Sequence, residues 1–319
     1  MEGPHSVSPA QIQHAASLLR AGKLVAFPTE TVYGLGANAL DPEAVARIFE
    51  AKGRPHTSPI IVHVSNREMA SMVVAEWPAR AQRLAQEFWP GPITLVLKKQ
   101  ADVPHLVTAG LNTVGVRMPA HPVALALIAE AQVPVAAPSA NRFTELSPTT
   151  ADHVRQSLGD RVDYILDGGA CTVGIESTVL SLAGDIPVLL RPGGVSRRQI
   201  EQLIGPITQQ TNASREAHSS PGMHPRHYSP RTSLVLADDG KVPAAGTGAY
   251  LQLNHEPGRE VREVVRMPSE AAEYATQFYR TLHELDARGY DWIAVDTPPP
   301  TPEWEAVRDR LQRAATQTD

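Results

Sequence analysis

The sequence predicts an α/β fold in which helices pack on a twisted mixed sheet, followed by a small C-terminal α/β domain. Three features predict this arrangement. Short apolar runs typical of buried strands alternate with segments whose apolar residues recur at helical spacing. Proline, glycine and capping residues separate the two kinds of segment. Near Gly205 the composition becomes polar and irregular, and a second set of strand and helix patterns follows.

The first elements show this alternation. Ser8–Pro9 begins a helix that Gly22 ends, and residues 24–27 have the apolar character of a buried strand. Proline then stops strand pairing, so residues 29–36 are predicted as a polar loop, and a second helix begins at Asp41–Pro42. Further strands are predicted at 59–64, 93–97, 113–117, 133–137, 164–166 and 177–182, with helices at 80–88 and 122–131.

Residues 206–231 lack apolar periodicity and predict a linker or an ordered functional loop. We therefore expect a first domain over 1–205, a linker over 206–231 and a small α/β domain over 232–319. In the last of these, strands are predicted at 233–237, 248–253 and 291–296, and helices at 271–286 and 303–314.

The composition is that of an ordinary globular protein. The 319 residues allow two domains, and 42% of them are hydrophobic and 20% charged. The net charge of −5 argues against a broad basic face for nucleic acid, although a local basic groove is compatible with it. The single cysteine, Cys171, excludes an internal disulfide framework, and a place in a loop is favoured for it over a nucleophilic role.

The N-terminal residues lack the basic and apolar regions of a secretory signal. No run approaches the ~18 apolar residues that a membrane span needs. Together with the cysteine usage, this predicts a cytoplasmic protein that does not enter the membrane.

Four short polar segments lie after or between the predicted strands. They are FPTETVYGLG at 27–36, KGRP at 52–55, APSANRF at 137–143 and GIESTV at 174–179. Loops at strand ends are where α/β folds collect ligands. Because these segments are rich in hydroxyls, cations and glycines and poor in carboxylates, they predict a site for a phosphate-bearing ligand. We infer a nucleotide-using enzyme.

Two interpretations remain open for each of the main motifs. In an extended segment, Lys52 and Arg54 would point the same way and could grip one polyphosphate, or they could form a solvated surface pair. Segment 27–36 either folds over a small polar ligand or hydrogen-bonds itself. Arg117 ends an apolar strand and therefore needs a carboxylate, which either the protein or a substrate supplies.

Other candidates are less specific. The polar groups of 139–141 and 177–178 could contact a ligand, or could form a turn or a cap. His224 and His227 could bind a metal, but a solvated or phosphate-facing pair is favoured. The sequence has no P-loop string, no zinc-binding His-Glu-x-x-His or paired Cys-x-x-Cys motif and no Gly-x-Ser-x-Gly elbow. Neither a zinc site nor a serine hydrolase is predicted.

Taken together, these strings resemble the Sua5/YrdC family, the threonylcarbamoyl-AMP synthases. The resemblance covers about 8–195 and includes PTETVYGLG, the KxR element at 52–54, the SxN element at 139–141, and GIESTV with LLRPG after it. SPGMHPRHYSP at 220–230 resembles the SPGMKxxHYxP element of the family. With the C-terminal domain, it indicates the two-domain Sua5 type.

The resemblance implies a YrdC-like first domain that makes L-threonylcarbamoyl-AMP and pyrophosphate from L-threonine, bicarbonate and ATP, with Mg²⁺. The product would serve the modification of an adenosine beside the anticodon of certain tRNAs. A separate tRNA threonylcarbamoyl transferase complex would perform the transfer, with at most a weak tRNA contact here. The linker would be a lid over the active site.

The resemblance also assigns residues to each substrate. Arg117 would hold the carboxylate of the amino acid, while Lys52 and Arg54 would be catalytic residues that bind phosphates. The threonine site would comprise Thr31, His63, Arg117, Ala137 and Ser177. The ATP site would comprise Lys52, Arg54, Ser58, Thr113, Ser139, Asn141, Ser147, Arg191 and Tyr228.

Two positions depart from the family pattern. Ser58 stands where many relatives carry asparagine, and its hydroxyl can still bond a phosphate. Residues 224–226 (His-Pro-Arg) stand where a lysine is usual, so Arg226 would supply that cation.

Two rival functions remain. One is an RNA-binding module of YrdC-like fold, whose binding would weaken steeply with salt. The other is a domain that uses carbamoyl phosphate, as in hydrogenase maturation. The net charge of −5 disfavours the first, and the absence of zinc-finger-like or acylphosphatase-like segments disfavours the second.

Overall fold

The computed structural model describes residues 7–209 and 228–315, which form two α/β domains, each with its own sheet and apolar core. The predicted mixed sheet with packed helices and the small C-terminal α/β domain are confirmed. Most of the predicted linker, including His224, Arg226 and His227, lies outside the described residues. Within the described ranges, no helix is long and apolar enough to cross a membrane.

The first domain contains strands β1 to β10 and helices α1 to α8. The strands are β1 Val25–Phe27, β2 Gly34–Asn38, β3 Val62–His63, β4 Ile93–Lys98, β5 Thr113–Arg117, β6 Val135–Ala136, β7 Tyr164–Ile165, β8 Thr178–Ser181, β9 Val188–Arg191 and β10 Thr208–Gln209. The helices are α1 Pro9–Arg20, α2 Pro42–Lys52, α3 Arg67–Ala70, α4 Ala79–Phe88, α5 His105–Thr108, α6 Pro122–Ala131, α7 Ala151–Leu158 and α8 Arg197–Ile204.

These strands form one ten-stranded mixed sheet in the order β10-β9-β8-β4-β5-β3-β6-β2-β1-β7. Strands β4 and β5 are antiparallel, whereas β3 and β5 run parallel. His63 and Arg117 are register partners at the ends of β3 and β5. Because residues in register share a face of the sheet, both side chains lie on the same side.

The sequence predicted residues 29–36 as a loop, but Gly34–Asn38 forms strand β2 between β1 and β6. Packing accounts for the glycine at position 36. A Cβ added to Gly36 would lie 2.8 Å from the Phe27 ring and 2.9 Å from Val135. The sequence predicted that this glycine allows close approach to a ligand. In the structure it instead permits close packing within the domain core.

Helix α2 begins and ends at identifiable residues. The Asp41 carboxylate accepts hydrogen bonds from the backbone at its first turn, and a proline occupies the first helical position. At the other end Gly53 adopts a left-handed conformation with φ of 63°, which terminates the helix at Lys52. The predicted extended segment through Lys52 and Arg54 is therefore wrong.

The second domain has a four-stranded sheet in the order β11-β14-β12-β13, with all paired strands parallel. Helix α9 spans Ala271–Asp286 and α10 spans Glu305–Ala315. The strands are β11 Ser233–Ala237, β12 Gly248–Gln252, β13 Glu263–Arg266 and β14 Trp292–Asp296. The strand at 263–266 was not predicted, because it has only four residues and two adjacent valines between charged residues give no strand periodicity.

The two domains are packed closely against each other. Gly174 has φ of 72°, and a Cβ added to it would lie 2.6 Å from the carbonyl oxygen of Ala275 on α9. The rings of His153 and His283 stack across the boundary with their centres 3.8 Å apart. First-domain residues also join the apolar core of the second domain, namely Val32, Leu146 and Ile175. The second domain therefore rests on the loops that carry the predicted site.

Candidate active site

All four polar segments predicted from the sequence contribute to one cavity. It lies on the first-domain sheet at the boundary with the second domain. Arg54, Arg117 and Arg191 surround it together with several hydroxyl groups and a carboxylate. The described lining residues are Thr29, Thr31, Val32, Gly34, Arg54, Ile61, His63, Arg117, Ala137, Pro138, Ser139, Glu176, Ser177, Arg191 and Tyr228.

Arg117 is held by three groups on one side of the cavity. Its Nη2 lies 2.6 Å from Glu30 Oε1, its Nη1 donates to Thr31 Oγ1 at 2.9 Å, and its Nε donates to the carbonyl of Gly91 at 3.2 Å. The sequence left open whether the protein or a substrate supplies a carboxylate to Arg117. In the structure the protein supplies one. Sequence reasoning missed Glu30, although it is the carboxylate within the segment FPTETVYGLG.

Segment 27–36 both hydrogen-bonds itself and lines the cavity. Thr29 Oγ1 donates to the carbonyl of Val32 at 2.6 Å and accepts the backbone N–H groups of Thr31 and Val32. The side chains of Thr29 and Thr31 are 2.8 Å apart. The self-bonded turn and the ligand-facing loop are thus one structure, since the turn fixes the hydroxyls at the cavity wall.

Lys52 does not line the cavity. Its buried ammonium donates to the carbonyl of Ser139 at 2.6 Å and to the carbonyl of Asn141. Burial and the neighbouring Arg54 hold the pKa of Lys52 well below its usual range. Lys52 therefore holds the backbone of the SxN element in place.

Arg54, in contrast, reaches the cavity wall. Its Nη2 donates to the carbonyl of Pro59 at 3.0 Å, and its guanidinium lies 5.8 Å from the centre of the Phe143 ring. Burial lowers its pKa to about 10, so it remains a cation at neutral pH. The two cations of the KxR element thus have different surroundings.

Arg191, at the end of β9, contacts residues from two other segments. Its Nε and Nη2 donate to the carbonyl of Ser177 at 3.1 and 3.0 Å, and Nη2 also donates to Ser177 Oγ at 3.2 Å. Its Nη1 donates to the hydroxyl of Tyr228 at 3.5 Å. Tyr228 is buried and belongs to the apolar core of the second domain.

Glu176 is the second carboxylate that sequence reasoning missed. It accepts hydrogen bonds from Ser147 Oγ at 2.6 Å and from the Tyr279 hydroxyl at 3.1 Å, and it pairs with Arg310 Nε at 2.7 Å. Burial opposes the ionised form, but Arg310 and Arg191 outweigh it and lower the pKa of Glu176. Two of these partners belong to the second domain.

His63 and Ala137 both line the cavity. Burial, reinforced by Arg117, lowers the pKa of His63 to about 3, so the imidazole is neutral at physiological pH. Its Nδ1 has no hydrogen-bond partner among the described residues. Ala137 follows β6 and donates its backbone N–H to the carbonyl of Ile61.

Besides Lys52, four other predicted ATP-site residues do not line the cavity. Asn141 Nδ2 donates to the carbonyls of Arg142 and Glu145, and the hydroxyl of Ser147 is bound to Glu176. The carbonyl of Ser58 lies 3.5 Å from Arg54 Nε. Thr113 lines a separate small cavity that shares Ile61 with the larger one.

The arrangement is suited to an anionic ligand with several oxygen atoms. Three guanidinium groups face the cavity, and hydroxyls of Thr31, Ser139 and Ser177 add hydrogen-bonding groups between them. Among residues 7–209 and 228–315, no group of three or more His, Cys, Asp or Glu side chains could hold a metal ion.

Comparison with known families gives two adjacent matches. Residues 17–193 match the Sua5–YciO–YrdC family model, described as "Telomere recombination". Residues 195–316 match the model described as "Threonylcarbamoyl-AMP synthase, C-terminal domain". Together they account for nearly the whole chain.

Similar proteins extend over the same length. The chain is 41% identical over 328 residues to the threonylcarbamoyl-AMP synthase of Pyrococcus abyssi, covering 96% of this chain and 94% of that protein. It is 42% identical over 330 residues to that of Bacillus subtilis, with 97% and 94% covered. The crystal structure of P. abyssi Sua5 complexed with L-threonine superposes with a TM-score of 0.91 at 39% identity, covering 97% of this chain and 95% of that one.

Proposed function

Since the chain belongs to the Sua5–YciO–YrdC family, we propose that it is a threonylcarbamoyl-AMP synthase that consumes L-threonine, bicarbonate and ATP. The observation that carries this proposal is the convergence of Arg54, Arg117 and Arg191, with the hydroxyls between them, on one cavity. Such a site can hold an amino acid carboxylate and a triphosphate together. As an enzyme that forms an adenylate, it would be a nucleotidyltransferase.

The proposed reaction has two steps. The amine of L-threonine adds to bicarbonate, which releases water and gives a carbamate. A carbamate oxygen then attacks the α-phosphorus of ATP, forming the O–P bond of threonylcarbamoyl-AMP while the bond to the β-phosphate oxygen breaks and pyrophosphate leaves. The buried cavity would protect the carbamate, which loses carbon dioxide in water.

We propose neighbouring places for the two substrates within this one cavity. For L-threonine we propose Thr31, His63, Ala137 and Ser177 around Arg117, whose guanidinium would bind the carboxylate. His63 would face the amino acid as a neutral ring, since a second cation beside Arg117 would be costly.

For ATP we propose Arg54 and Arg191 as the phosphate-binding cations, with Ser139 and Tyr228, which also line the cavity. Lys52 would act through the SxN backbone that its ammonium holds. The residues beside the cavity would support this ATP site, namely Ser58, Thr113, Asn141 and Ser147.

We propose that Mg²⁺ enters with ATP as part of the substrate, because Mg²⁺ is commonly held by substrate phosphates and few protein ligands. It would neutralise phosphate charge in the bound triphosphate. We further propose that the product passes to a tRNA threonylcarbamoyl transferase complex in the cytoplasm. The domain limits at 1–205, 206–231 and 232–319, with the middle segment as a lid, are also proposals.

Pyrophosphate release by the purified protein tests this function. With MgATP and bicarbonate present, release should depend on L-threonine, and mass spectrometry should detect threonylcarbamoyl-AMP. D-Threonine serves as the control, because its carboxylate and amine cannot both occupy the same contacts. Pyrophosphate release that does not depend on L-threonine would refute the proposal. RNA binding that weakens steeply with salt, without threonine-dependent turnover, would instead favour the RNA-binding alternative.

A further inference from the structure

The second domain places one arginine directly behind the cavity. Arg310 on α10 is completely buried, and its Nε donates to Glu176 Oε2 at 2.7 Å. Its Nη2 donates to the carbonyl of Pro192 at 2.9 Å, and its guanidinium lies 5.2 Å from the centre of the Tyr228 ring. Glu176 and Tyr228 line the cavity, whereas Arg310 contacts it only through them.

The ion pair between Arg310 and Glu176 matters for phosphate binding because of where Glu176 lies. Its carboxylate lines the same cavity as Arg54 and Arg191, which are the proposed phosphate-binding cations. A carboxylate without a partner at this position would repel phosphate oxygens and attract the Arg191 guanidinium. Two residues of the second domain, Arg310 and Tyr279, occupy its oxygens instead.

Arg310 also contacts a second carboxylate, that of Asp309, which has another cationic partner. Asp309 contacts Arg310 Nη1, but it is also paired with Arg313 one helical turn further along α10, at 2.9 Å. Asp309 therefore retains a cationic partner if Arg310 is removed. Glu176 would then be left with hydrogen bonds from Ser147 and Tyr279 and with Arg191 as the nearby cation.

We propose that Arg310 is a positioning residue for ATP, an inference that rests on the proposed function. Arg310 pairs with Glu176, and Arg191 therefore stays directed at the nucleotide phosphates. The second domain thus completes the electrostatics of a site whose substrate-binding groups lie mainly in the first domain. Its contribution to the reaction would be binding of the nucleotide and not of the amino acid.

Equilibrium binding of MgATP and of L-threonine to full-length variants tests this role. Arg310→Met should raise the Kd for MgATP by about tenfold or more, as expected when a buried charge loses its partner, and should change the Kd for L-threonine by less than about twofold. The double variant Arg310→Met/Glu176→Gln leaves no carboxylate unpaired, so its Kd for MgATP should return to within about threefold of the wild type.

Arg313→Met is the matched control, because Arg313 lies on the same helix and pairs with Asp309 without contacting Glu176. Its Kd for MgATP should stay within about twofold of the wild type. Wild-type affinity in Arg310→Met, or a double variant as weak as the single one, would overturn the proposal.

If Arg310→Met does not fold, Arg310→Gln takes its place. Its amide can still donate to Glu176 but carries no charge, so the Kd for MgATP should rise by at least about threefold, and a wild-type Kd would overturn the proposal. Wild-type protein without threonine-dependent pyrophosphate release would refute the proposed function, while the MgATP binding series would still decide the role of Arg310.

Discussion

Arg117 and Glu30 form a buried ion pair, with Nη2 of the arginine 2.6 Å from Oε1 of the glutamate. The side chains are only 4% and 7% exposed, so neither charge is solvated by bulk water. Because Arg117 also donates to the hydroxyl of Thr31 in the cavity wall, Glu30 fixes the direction of a guanidinium that lines the site. The pair connects the stability of the fold to the proposed recognition of threonine.

Replacing Glu30 with glutamine should impair both the stability of the fold and the binding of L-threonine. The amide has the same shape but no charge, so Arg117 would be buried without its partner, and the free energy of unfolding should fall by about 3 kcal/mol. The KM for L-threonine should rise more than the KM for ATP. Denaturant unfolding and pyrophosphate release measure the two effects, with the exposed Glu50→Gln as control. Unchanged stability in Glu30→Gln would contradict the importance of the pair.

Lys52→Met separates two roles for this lysine. If Lys52 holds the SxN backbone, losing its bonds to the carbonyls of Ser139 and Asn141 should lower the free energy of unfolding by about 2 kcal/mol and also reduce turnover. The exposed Lys98→Met should change neither quantity. Reduced turnover with wild-type stability would instead support the sequence prediction that Lys52 binds phosphate directly.

Arg54→Ala should act mainly on the reaction. As a proposed phosphate-binding cation it would stabilise charge that develops in the transition state, and its loss should raise the barrier by about 2 to 4 kcal/mol. This corresponds to a large fall in kcat/KM for ATP, measured by pyrophosphate release. Arg80→Ala removes an exposed arginine that does not line the cavity and serves as the control. Turnover unaffected in Arg54→Ala would exclude this role.

The sequence was sufficient for the fold class and for the segments that form the site, because both depend on local pattern. Helices at 122–131 and 271–286 have the predicted limits, since apolar residues mark the extent of both and Pro122 begins the first. Strand β2 was missed because its glycines resemble a loop, and only the close packing of Phe27 and Val135 explains why residue 36 is a glycine.

Long-range partners could not be predicted in the same way. Arg117 required a carboxylate, but Glu30 lies 87 positions earlier in the chain, and only the fold brings the two together. Glu176 is visible in GIESTV, yet its partners Tyr279 and Arg310 lie in another domain. The direction of the Lys52 side chain also depends on where α2 ends, which Gly53 determines.

Acid should destabilise the contact between the domains. Burial, with His283 next to it, lowers the pKa of His153 to about 3, while an unfolded histidine titrates near 6.5. Between these values the unfolded state binds more protons, so stability falls as the pH decreases from 7 to 5, by about 2 kcal/mol for His153. Urea unfolding at both pH values measures this loss, which His153→Gln should reduce. The exposed His14→Gln should leave it unchanged.

Gly174→Ala tests how closely α9 rests on the GIESTV segment. Gly174 and Gly289 have the same φ of 72°, so alanine at either position costs about 1 to 2 kcal/mol of backbone strain. Around Gly289 an added Cβ would meet no atom within 4 Å, whereas at Gly174 it would lie 2.6 Å from the backbone of α9. Gly174→Ala should therefore lose clearly more stability than Gly289→Ala and also raise the KM for ATP, because Glu176 would move away from its second-domain partners. If Gly174→Ala and Gly289→Ala lose equal stability in denaturant unfolding, the domains can move apart without loss of free energy. The close packing would then not be required.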